Sequence, residues 1–248
     1  MDSGLTIDTL IGLDEKELRR YVKGSGNKPA IAELKSNFDA YRERAEGNIL
    51  SWSDSGISVI TLWDSAYPAS FGVLPDPPCF MYCKGNLSLL NKKESVAVIG
   101  TRESSELGES VASKTAAFFA EKGFNIVSGL AKGIDTAAHL GALRANGETT
   151  AVLVDVGKIY PPENSHLADD ILTKSGLLIA ENPPNSITYK GAFVQRDRLQ
   201  SALSVAIFPI ETEVQGGTMH TVRFAHEQDR LIFCPNLTHW GGANDLER

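Results

Sequence analysis

Short apolar segments alternate with longer segments of helical composition over most of the chain from about residue 95. The short segments are apolar throughout rather than at every second position, which is typical of strands buried on both faces of a parallel sheet. The segments between them are long enough for crossover helices. The predicted strands are residues 96–100, 124–129, 150–155, 177–181, 205–211 and 231–235. The predicted helices are residues 106–122, 134–146, 163–174, 193–203 and 218–228.

This alternation predicts an α/β fold, namely an extended Rossmann-like, doubly wound, mainly parallel sheet with helices on both faces. Residues 1–50 have a different pattern, because they are charged and rich in helix formers. Their apolar residues recur at three- and four-residue steps, as in Ile31, Leu34 and Phe38. We therefore expect a small helical N-terminal region at residues 1–50 and a Rossmann-like domain at residues 51–248.

The composition excludes several classes of protein. The chain has 248 residues, of which 42% are hydrophobic, and this apolar fraction is too high for a disordered chain. No apolar run approaches the ~20 residues that cross a bilayer. The first residues also lack the basic and then apolar pattern of a secretory signal, so we predict a cytoplasmic protein with no membrane contact. The net charge of −7 argues against coating of duplex DNA and leaves room only for a local basic site.

Neither a metal site nor a cofactor motif is indicated. The cysteines Cys79 and Cys83 have no second pair that would complete four zinc ligands, and His220 and His226 are too far apart to share one helix face. The glycine spacing matches neither the dinucleotide fingerprint nor the P-loop. No nucleophile elbow is present. We predict no metal, no cofactor and no catalytic residue.

Glycine precedes a predicted helix at three strand ends, where a doubly wound sheet binds its ligands. Exposed amides at a helix start, beside a cation or hydroxyl, favour phosphate. Phosphates are expected on the turn of residues 100–102 and on the amides of residues 131–133. Taken singly, each of these glycines is better explained as a simple chain turn, but three such turns on one edge of the sheet favour a phosphate site. The candidate residues are Gly100, Thr101, Arg102, Ser128, Gly129, Lys132, Gly133, Gly216, Gly217 and Thr218.

A locally basic segment, residues 183–200, adds Lys190, Arg196 and Arg198 to these candidates. Phe193 follows Lys190 by three residues. Single-stranded nucleic acid is bound by such a combination, since cations contact phosphates and an aromatic ring stacks on a base. The alternative is that Phe193 caps the core and the arginines pair with surface carboxylates.

Five segments together resemble the DprA (Smf) family of bacterial DNA-processing proteins, in that family's order and spacing. They are VAVIGTR (96–102), FNIVSGLAKGIDTAAH (124–139), IYPPEN (159–164), FVQRDRLQSALS (193–204) and AHEQDRLIFCP (225–235). The resemblance implies a cytoplasmic, non-enzymatic protein with an extended Rossmann fold. Such proteins bind single-stranded DNA during natural transformation, form homodimers and load a RecA-type recombinase. The resemblance places the DNA pocket at the strand carboxyl ends, on Arg102, Lys190 and Phe193.

The chain departs from the family pattern in three places. Asp197 stands where an R-N-R triplet is usual, and its negative charge is expected to weaken phosphate binding. Residues 215–218 (QGGT) replace an S-G-S type turn. The chain ends soon after Leu246, so we do not expect the C-terminal winged-helix module of many members.

Two alternatives belong to other functional classes. The QGGT turn is similar to the P-G-G-x-G-T phosphate turn of lysine-decarboxylase-like (LOG) proteins, which suggests a nucleotide-ligand sensor or a phosphoribohydrolase with Glu211 or Glu227 as the acid. Met219 and His220 break the second half of that motif. The other alternative is an assembly subunit that dimerises through exposed apolar residues.

Overall fold

The computed structural model describes residues 33, 35–187, 189, 191–213 and 216–235. Its contacts divide the chain into two units, residues 1–54 and residues 55–248. In the first unit the described residues form helix α1 (Phe38–Asp54), which continues past residue 50, where the sequence suggested a boundary. A helical N-terminal region is therefore present.

The second unit is built on one eight-stranded sheet. Its strands are β1 (Ile57–Thr61), β2 (Phe80–Gly85), β3 (Ser95–Ile99), β4 (Asn125–Ser128), β5 (Thr149–Leu153), β6 (Leu177–Ala180), β7 (Ala206–Pro209) and β8 (Leu231–Ile232). Its helices are α2 (Glu106–Glu121), α3 (Ile134–Arg144), α4 (Ser165–Thr173), α5 (Ala192–Ala202) and α6 (Thr218–Glu227). Each predicted strand and helix therefore has its counterpart.

The sheet is mainly parallel, in the order β1-β2-β6-β5-β4-β3-β7-β8. Strands β3 to β8 pair with one another in parallel, whereas β2 is antiparallel to both β1 and β6. The sequence did not predict β2, whose residues follow a proline-rich segment. This strand covers the edge of β6 that the parallel strands leave open, and its side chains Met81 and Cys83 are buried.

Helices cover both faces of the sheet, as predicted. Along β3, Val96 and Val98 pack with α2 and α3, whereas Ala97 and Ile99 pack with α5 and α6 on the other face. Successive side chains of a strand point to opposite faces, so a fully apolar strand is one that is covered twice. In the described part of the chain, no helix is both long enough and apolar enough to span a membrane.

The direction of winding reverses at β3, which lies between β4 and β7. Just beyond the carboxyl ends of β3 and β7, the Thr101 amide donates a 2.7 Å hydrogen bond to the Glu211 carbonyl. In a doubly wound sheet, this reversal opens a crevice above the strand ends because the loops leave in opposite directions. The fold therefore places its ligand site beside residues 100–102 and 211–218.

Candidate nucleic-acid interface

A groove follows the carboxyl edge of the sheet, and Phe193 and Arg196 line it along its whole length. At the winding reversal it forms an open cleft of about 450 Å³, here called the central cleft, between residues 100–102 and 216–218. Beyond Phe193 it continues into a space of about 650 Å³ between the loops after β5 and β6, here called the tyrosine pocket. The tyrosine pocket is lined by Lys158, Tyr160, Ile187 and Tyr189, together with Phe193 and Arg196.

The fold brings most of the predicted strand-end residues to the central cleft. Its lining residues include Gly100, Thr101, Arg102, Phe193, Arg196, Gly216, Gly217 and Thr218. Lys190 and Gln215, which the sequence analysis also singled out, lie outside the described residues. The cleft thus combines two arginines, an aromatic ring and a glycine-rich turn, and its lining also includes the acidic residues Glu103, Asp135, Asp197 and Glu213.

Arg102, Phe193 and Tyr160 form a layered arrangement at the boundary of the two compartments. The Arg102 guanidinium carbon lies over the Phe193 ring, 5.6 Å from its centroid. The Tyr160 ring meets Phe193 at 61°, with centroids 5.5 Å apart. Arg102 and Tyr160 are both exposed. Such a cation–π and aromatic stack offers charge and flat surface to the same ligand.

The Arg196 guanidinium lies at the base of the groove, where it is 8% exposed. Its Nε is 3.5 Å from an Asp197 carboxylate oxygen and has no hydrogen-bond partner among the described residues. Gly129 makes room for it, because a Cβ at that position would lie 1.8 Å from the Arg196 Nη1. Glycine is required here by close approach of a side chain. The result is a buried cation with unused hydrogen-bonding capacity.

The start of α3 is occupied by an anion of the chain itself. The amides of Gly129 and Ala131 donate to the Asp135 carboxylate at 3.1 and 3.3 Å. Burial raises the pKa of Asp135, while Arg196 and these amides lower it. The expectation that phosphate binds the amides of residues 131–133 is therefore wrong for Ala131, whose donor is already taken.

Gly133 has a backbone role at the same turn. Its φ is +74°, and a Cβ there would lie 2.6 Å from the Thr101 carbonyl oxygen. That carbonyl accepts a hydrogen bond from the Ile134 amide at 3.3 Å. Only glycine allows this conformation with so close a contact. The turn is therefore held closely against the loop after β3.

The start of α2 is also occupied by a carboxylate. A Glu211 oxygen accepts hydrogen bonds from the Ser105 amide at 2.9 Å and from the Ser105 hydroxyl at 3.2 Å. The same hydroxyl accepts a bond from the Gly108 amide. Glu211, which follows β7, thereby stabilises the positive end of α2 and links both sides of the winding reversal.

Two further predicted contact residues, Arg198 and Ser128, are buried and have hydrogen-bond partners inside the protein. Arg198 is 4% exposed and forms a bidentate pair with Glu181, with both distances at 2.8 Å. It also donates to the Asp76 carboxylate at 3.2 Å. Burial lowers the pKa of Arg198, but these carboxylates raise it overall. Ser128 is fully buried and donates to the Val98 carbonyl at 2.7 Å, so it joins β4 to β3.

Two lysines lie along the groove, one that was predicted as a phosphate contact, Lys132, and one that was not, Lys158. Lys132 pairs with Glu163 at 2.6 Å, and both side chains are more than half exposed. Its charge is therefore already matched on the surface. Lys158, by contrast, was not selected from the sequence, although it lies exposed at the tyrosine pocket. The signal for this pocket was the IYPPEN segment, which contains Tyr160 and begins directly after Lys158.

Asp197 brings a titratable negative charge close to the arginines. Burial raises the pKa of Asp197 to about 6, against the opposing effect of Arg196 and Arg102 and with a contribution from Asp135. The carboxylate is consequently ionised at neutral pH but close to its titration range. It reduces the positive potential of the central cleft without removing it.

His139 is a core residue. It is fully buried, and its Nδ1 is 2.7 Å from the Thr149 hydroxyl, which itself donates to the Ile126 carbonyl. Burial, together with Arg196, lowers the pKa of His139 to about 3, so the ring is neutral. Within the described ranges, no three His, Cys, Asp or Glu side chains are grouped to hold a metal ion.

The topology and the groove define a Rossmann-like α/β protein with a candidate ligand site of arginines and aromatic rings at its winding reversal. The family model of DNA recombination-mediator protein A matches residues 58–246, and the chain belongs to this family. It is 32% identical over 204 residues to DNA processing protein DprA of Bacillus subtilis (strain 168), a match covering 82% of this chain and 68% of that protein. The resemblance found in the sequence is thus confirmed.

Two solved structures have the same fold. The X-ray structure of DprA from Streptococcus pneumoniae matches with a TM-score of 0.71 and 29% identity, over 89% of this chain and 74% of that one. A Helicobacter pylori DprA structure, described in terms of its single-stranded DNA binding mode, matches with a TM-score of 0.65 and 30% identity, over 72% and 80%. The chain spans 36% to 68% of the length of its curated relatives.

Proposed function

We propose that this protein binds single-stranded DNA in the groove, as a DNA-processing protein, and that the binding involves no catalytic step. The observation that supports this most directly is the exposed Arg102 guanidinium on the Phe193 ring, above the incompletely paired Arg196. Family membership and the DNA-binding mode described for the Helicobacter pylori relative support the same function.

The groove suits a flexible strand. Arg102 and Arg196 supply donors for phosphate oxygens, and charge-assisted bonds of this kind are strong. A base adds to the exposed side of the Arg102–Phe193 stack, since every base has a flat face for an aromatic or guanidinium plane. Because Asp197 offsets part of the charge, stacking contributes much of the affinity. Few phosphates are then neutralised, and affinity falls only gently with salt.

The nucleotide-sensor and phosphoribohydrolase alternatives are less well supported. Binding of a single nucleotide by this type of fold uses free amides at helix starts. Here Asp135 already accepts from the amides before α3, and Glu211 already accepts from the Ser105 amide before α2. Glu211 is therefore occupied by a structural role rather than positioned as a free acid. The amides before α2 and α3 are therefore paired within the chain, whereas the glycine-rich turn at the start of α6 lines the central cleft.

Partners and cellular role follow from the family alone. The resemblance supports a homodimer that loads a RecA-type recombinase during natural transformation, in the cytoplasm. The third alternative, a subunit that only assembles, differs from this by having no DNA affinity. Binding of an oligonucleotide therefore separates the two.

The test is fluorescence anisotropy of a labelled oligothymidylate across a salt series. We expect binding by the wild type, with a log–log salt slope of about −0.7 for each phosphate contacted, and a loss of about tenfold or more for Arg102→Ala. Arg144→Ala is the matched control, because Arg144 is exposed and lies outside the groove. Equal affinities for these two variants, or no binding by the wild type, would contradict the proposal.

The enzymatic alternative has its own assay, the release of free base from nucleoside monophosphates. We expect no turnover by the wild type at high protein concentration. Turnover that disappears in Glu211→Gln would favour the hydrolase instead. Because Glu211 stabilises α2, the thermal unfolding of that variant is measured in parallel.

A further inference from the structure

The tyrosine pocket is a second compartment of the groove, and its lining residues Lys158, Tyr160, Ile187 and Tyr189 were not part of the predicted site. It has a volume of about 650 Å³ and lies between the loops that follow β5 and β6. It adjoins the central cleft through Phe193 and Arg196, which line both. A ligand that crosses Phe193 from the central cleft therefore enters this pocket without leaving the groove.

The pocket is aromatic, and its charged lining residues are Lys158, Arg196 and Asp155, whose carboxylate accepts two backbone amides. Tyr160 is 55% exposed and Tyr189 is 51% exposed, while Ile187 is 94% exposed. The Lys158 side chain is exposed beside them. Large exposed apolar side chains that cluster around one cation mark a binding surface more often than a packing need. A flat, negatively charged ligand fits this combination.

Both tyrosines are held at the sides of the pocket. The Tyr160 ring rests against Phe193, with centroids 5.5 Å apart. The Tyr189 hydroxyl donates to the Gln195 side-chain oxygen on α5. Neither ring is therefore free to sweep through the space between them, and less conformational entropy is lost when a ligand stacks on a ring already in place.

The loops that frame the pocket are tied to each other. The Asp155 carboxylate accepts hydrogen bonds from the Gly157 amide at 2.7 Å and from the Asn185 amide at 2.8 Å. The Asn182 side chain donates to the Val154 carbonyl at 3.1 Å. These bonds join the loop after β5 to the loop after β6. The pocket is consequently formed before any ligand arrives.

We propose that the tyrosine pocket is a second nucleotide subsite for the same single strand, with a base stacked on Tyr160 and a phosphate on Lys158. This inference rests on the proposed function of the groove. The strand passes from the central cleft across Phe193 into the pocket. A longer oligonucleotide therefore gains contacts that a very short one cannot make at the same time.

The experiment measures anisotropy for labelled oligothymidylates of about 4 and about 16 nucleotides. For the longer strand, Tyr160→Ala is expected to reduce affinity about tenfold and Tyr160→Phe to leave it unchanged, since only the first removes the ring. Lys158→Ala is expected to lower the salt slope by about 0.7, the loss of one phosphate contact. The affinity ratio of the longer to the shorter strand should fall in both alanine variants.

Lys158→Ala is the variant that is expected to fold normally, because Lys158 is exposed. Tyr160→Ala also removes a packing contact with Phe193. Suppose the wild type binds and Arg102→Ala weakens both strands, yet Lys158→Ala and Tyr160→Ala leave the longer strand unaffected. The second subsite is then overturned while the proposed function stands. Equal losses in Tyr160→Ala and Tyr160→Phe would overturn the stacking. If the wild type binds neither strand, both proposals fail.

Discussion

Helix α5 carries two buried arginines, Arg196 and Arg198, in two different environments. Arg198 is surrounded by acceptors: both oxygens of Glu181, the carboxylate and carbonyl of Asp76, and the Gln195 carbonyl. Arg196 faces the groove, and its Nε has no hydrogen-bond partner among the described residues. The same residue type, two positions apart, is thus a structural tie on one side and a ligand-facing cation on the other.

The difference shows that burial alone does not reveal the role of a charged side chain. Both arginines are less than a tenth exposed. What separates them is the supply of acceptors, since a buried guanidinium with five donors needs carboxylates or carbonyls on several sides. Where the chain provides these acceptors, as around Arg198, the guanidinium donors are paired within the protein. Where it does not, a phosphate can complete the set.

The largest expected effect comes from removing the structural arginine. Arg198→Ala leaves Glu181 without its bidentate partner, and breaking a buried pair in this way costs about 3 kcal/mol of unfolding free energy. Urea denaturation measures this as a lower midpoint. Arg198→Lys, which retains the charge but not the bidentate geometry, should lose less. If Arg198→Ala is as stable as the wild type and instead loses DNA affinity, the structural role of Arg198 is contradicted.

An intermediate effect is expected on the groove side, from Asp197. Its pKa of about 6 means that the carboxylate becomes neutral as the pH falls, which removes a negative charge beside Arg196. DNA affinity should therefore rise severalfold from about pH 7.5 to about pH 5.5. Asp197→Asn should have the higher affinity already at neutral pH and a much flatter pH profile. Anisotropy at fixed ionic strength measures both, and an unchanged profile in Asp197→Asn would contradict the assignment.

The same carboxyl group affects stability with a defined sign. Because the pKa of Asp197 is raised on folding, the folded state binds the proton more tightly, and stability is lost as the pH rises from about 4 to about 6. The loss amounts to at most about 3 kcal/mol. Asp197→Asn should avoid it and be more stable than the wild type near neutral pH. Urea midpoints at two pH values provide the check.

The smallest effect is expected at Lys132. Its partner Glu163 matches its charge on an exposed surface, so Lys132→Ala should change DNA affinity less than about twofold and leave the urea midpoint almost unchanged. Glu163→Gln frees the lysine and should raise DNA affinity slightly. A loss in Lys132→Ala comparable to that in Arg102→Ala would mean that the ion pair opens to bind phosphate.

The elements of the fold were predictable because apolar periodicity is a local property. Strands β3 to β8 and helices α2 to α6 were all expected close to their observed positions. Strand β2 was not expected, since prolines precede it and its pairing with β6 joins segments about 90 residues apart. Its existence depends on an open sheet edge, which only the assembled sheet provides.

The residues of the candidate site also fall into those that a local pattern predicts and those that depend on distant contacts. Arg102 and Phe193 were selected from a strand-end turn and a basic segment, and the fold places them in one stack. Lys158 was missed because one lysine in a loop has no pattern around it. Arg198 was selected from a basic segment, and its pairing could not be predicted because one of its partners, Asp76, lies 122 residues away in the sequence.

The sequence by itself predicted most strands and helices in their order along the chain, the sheet edge at which we propose that DNA binds, and the family to which the chain belongs. Tertiary structure decided which charges remain available at that edge. Glu211 reaches Ser105 across 106 residues, and Glu181, which follows β6, pairs with Arg198 on α5. Hydrophobic burial repeats along the chain and can be seen locally, whereas an electrostatic partner is defined by distance in space.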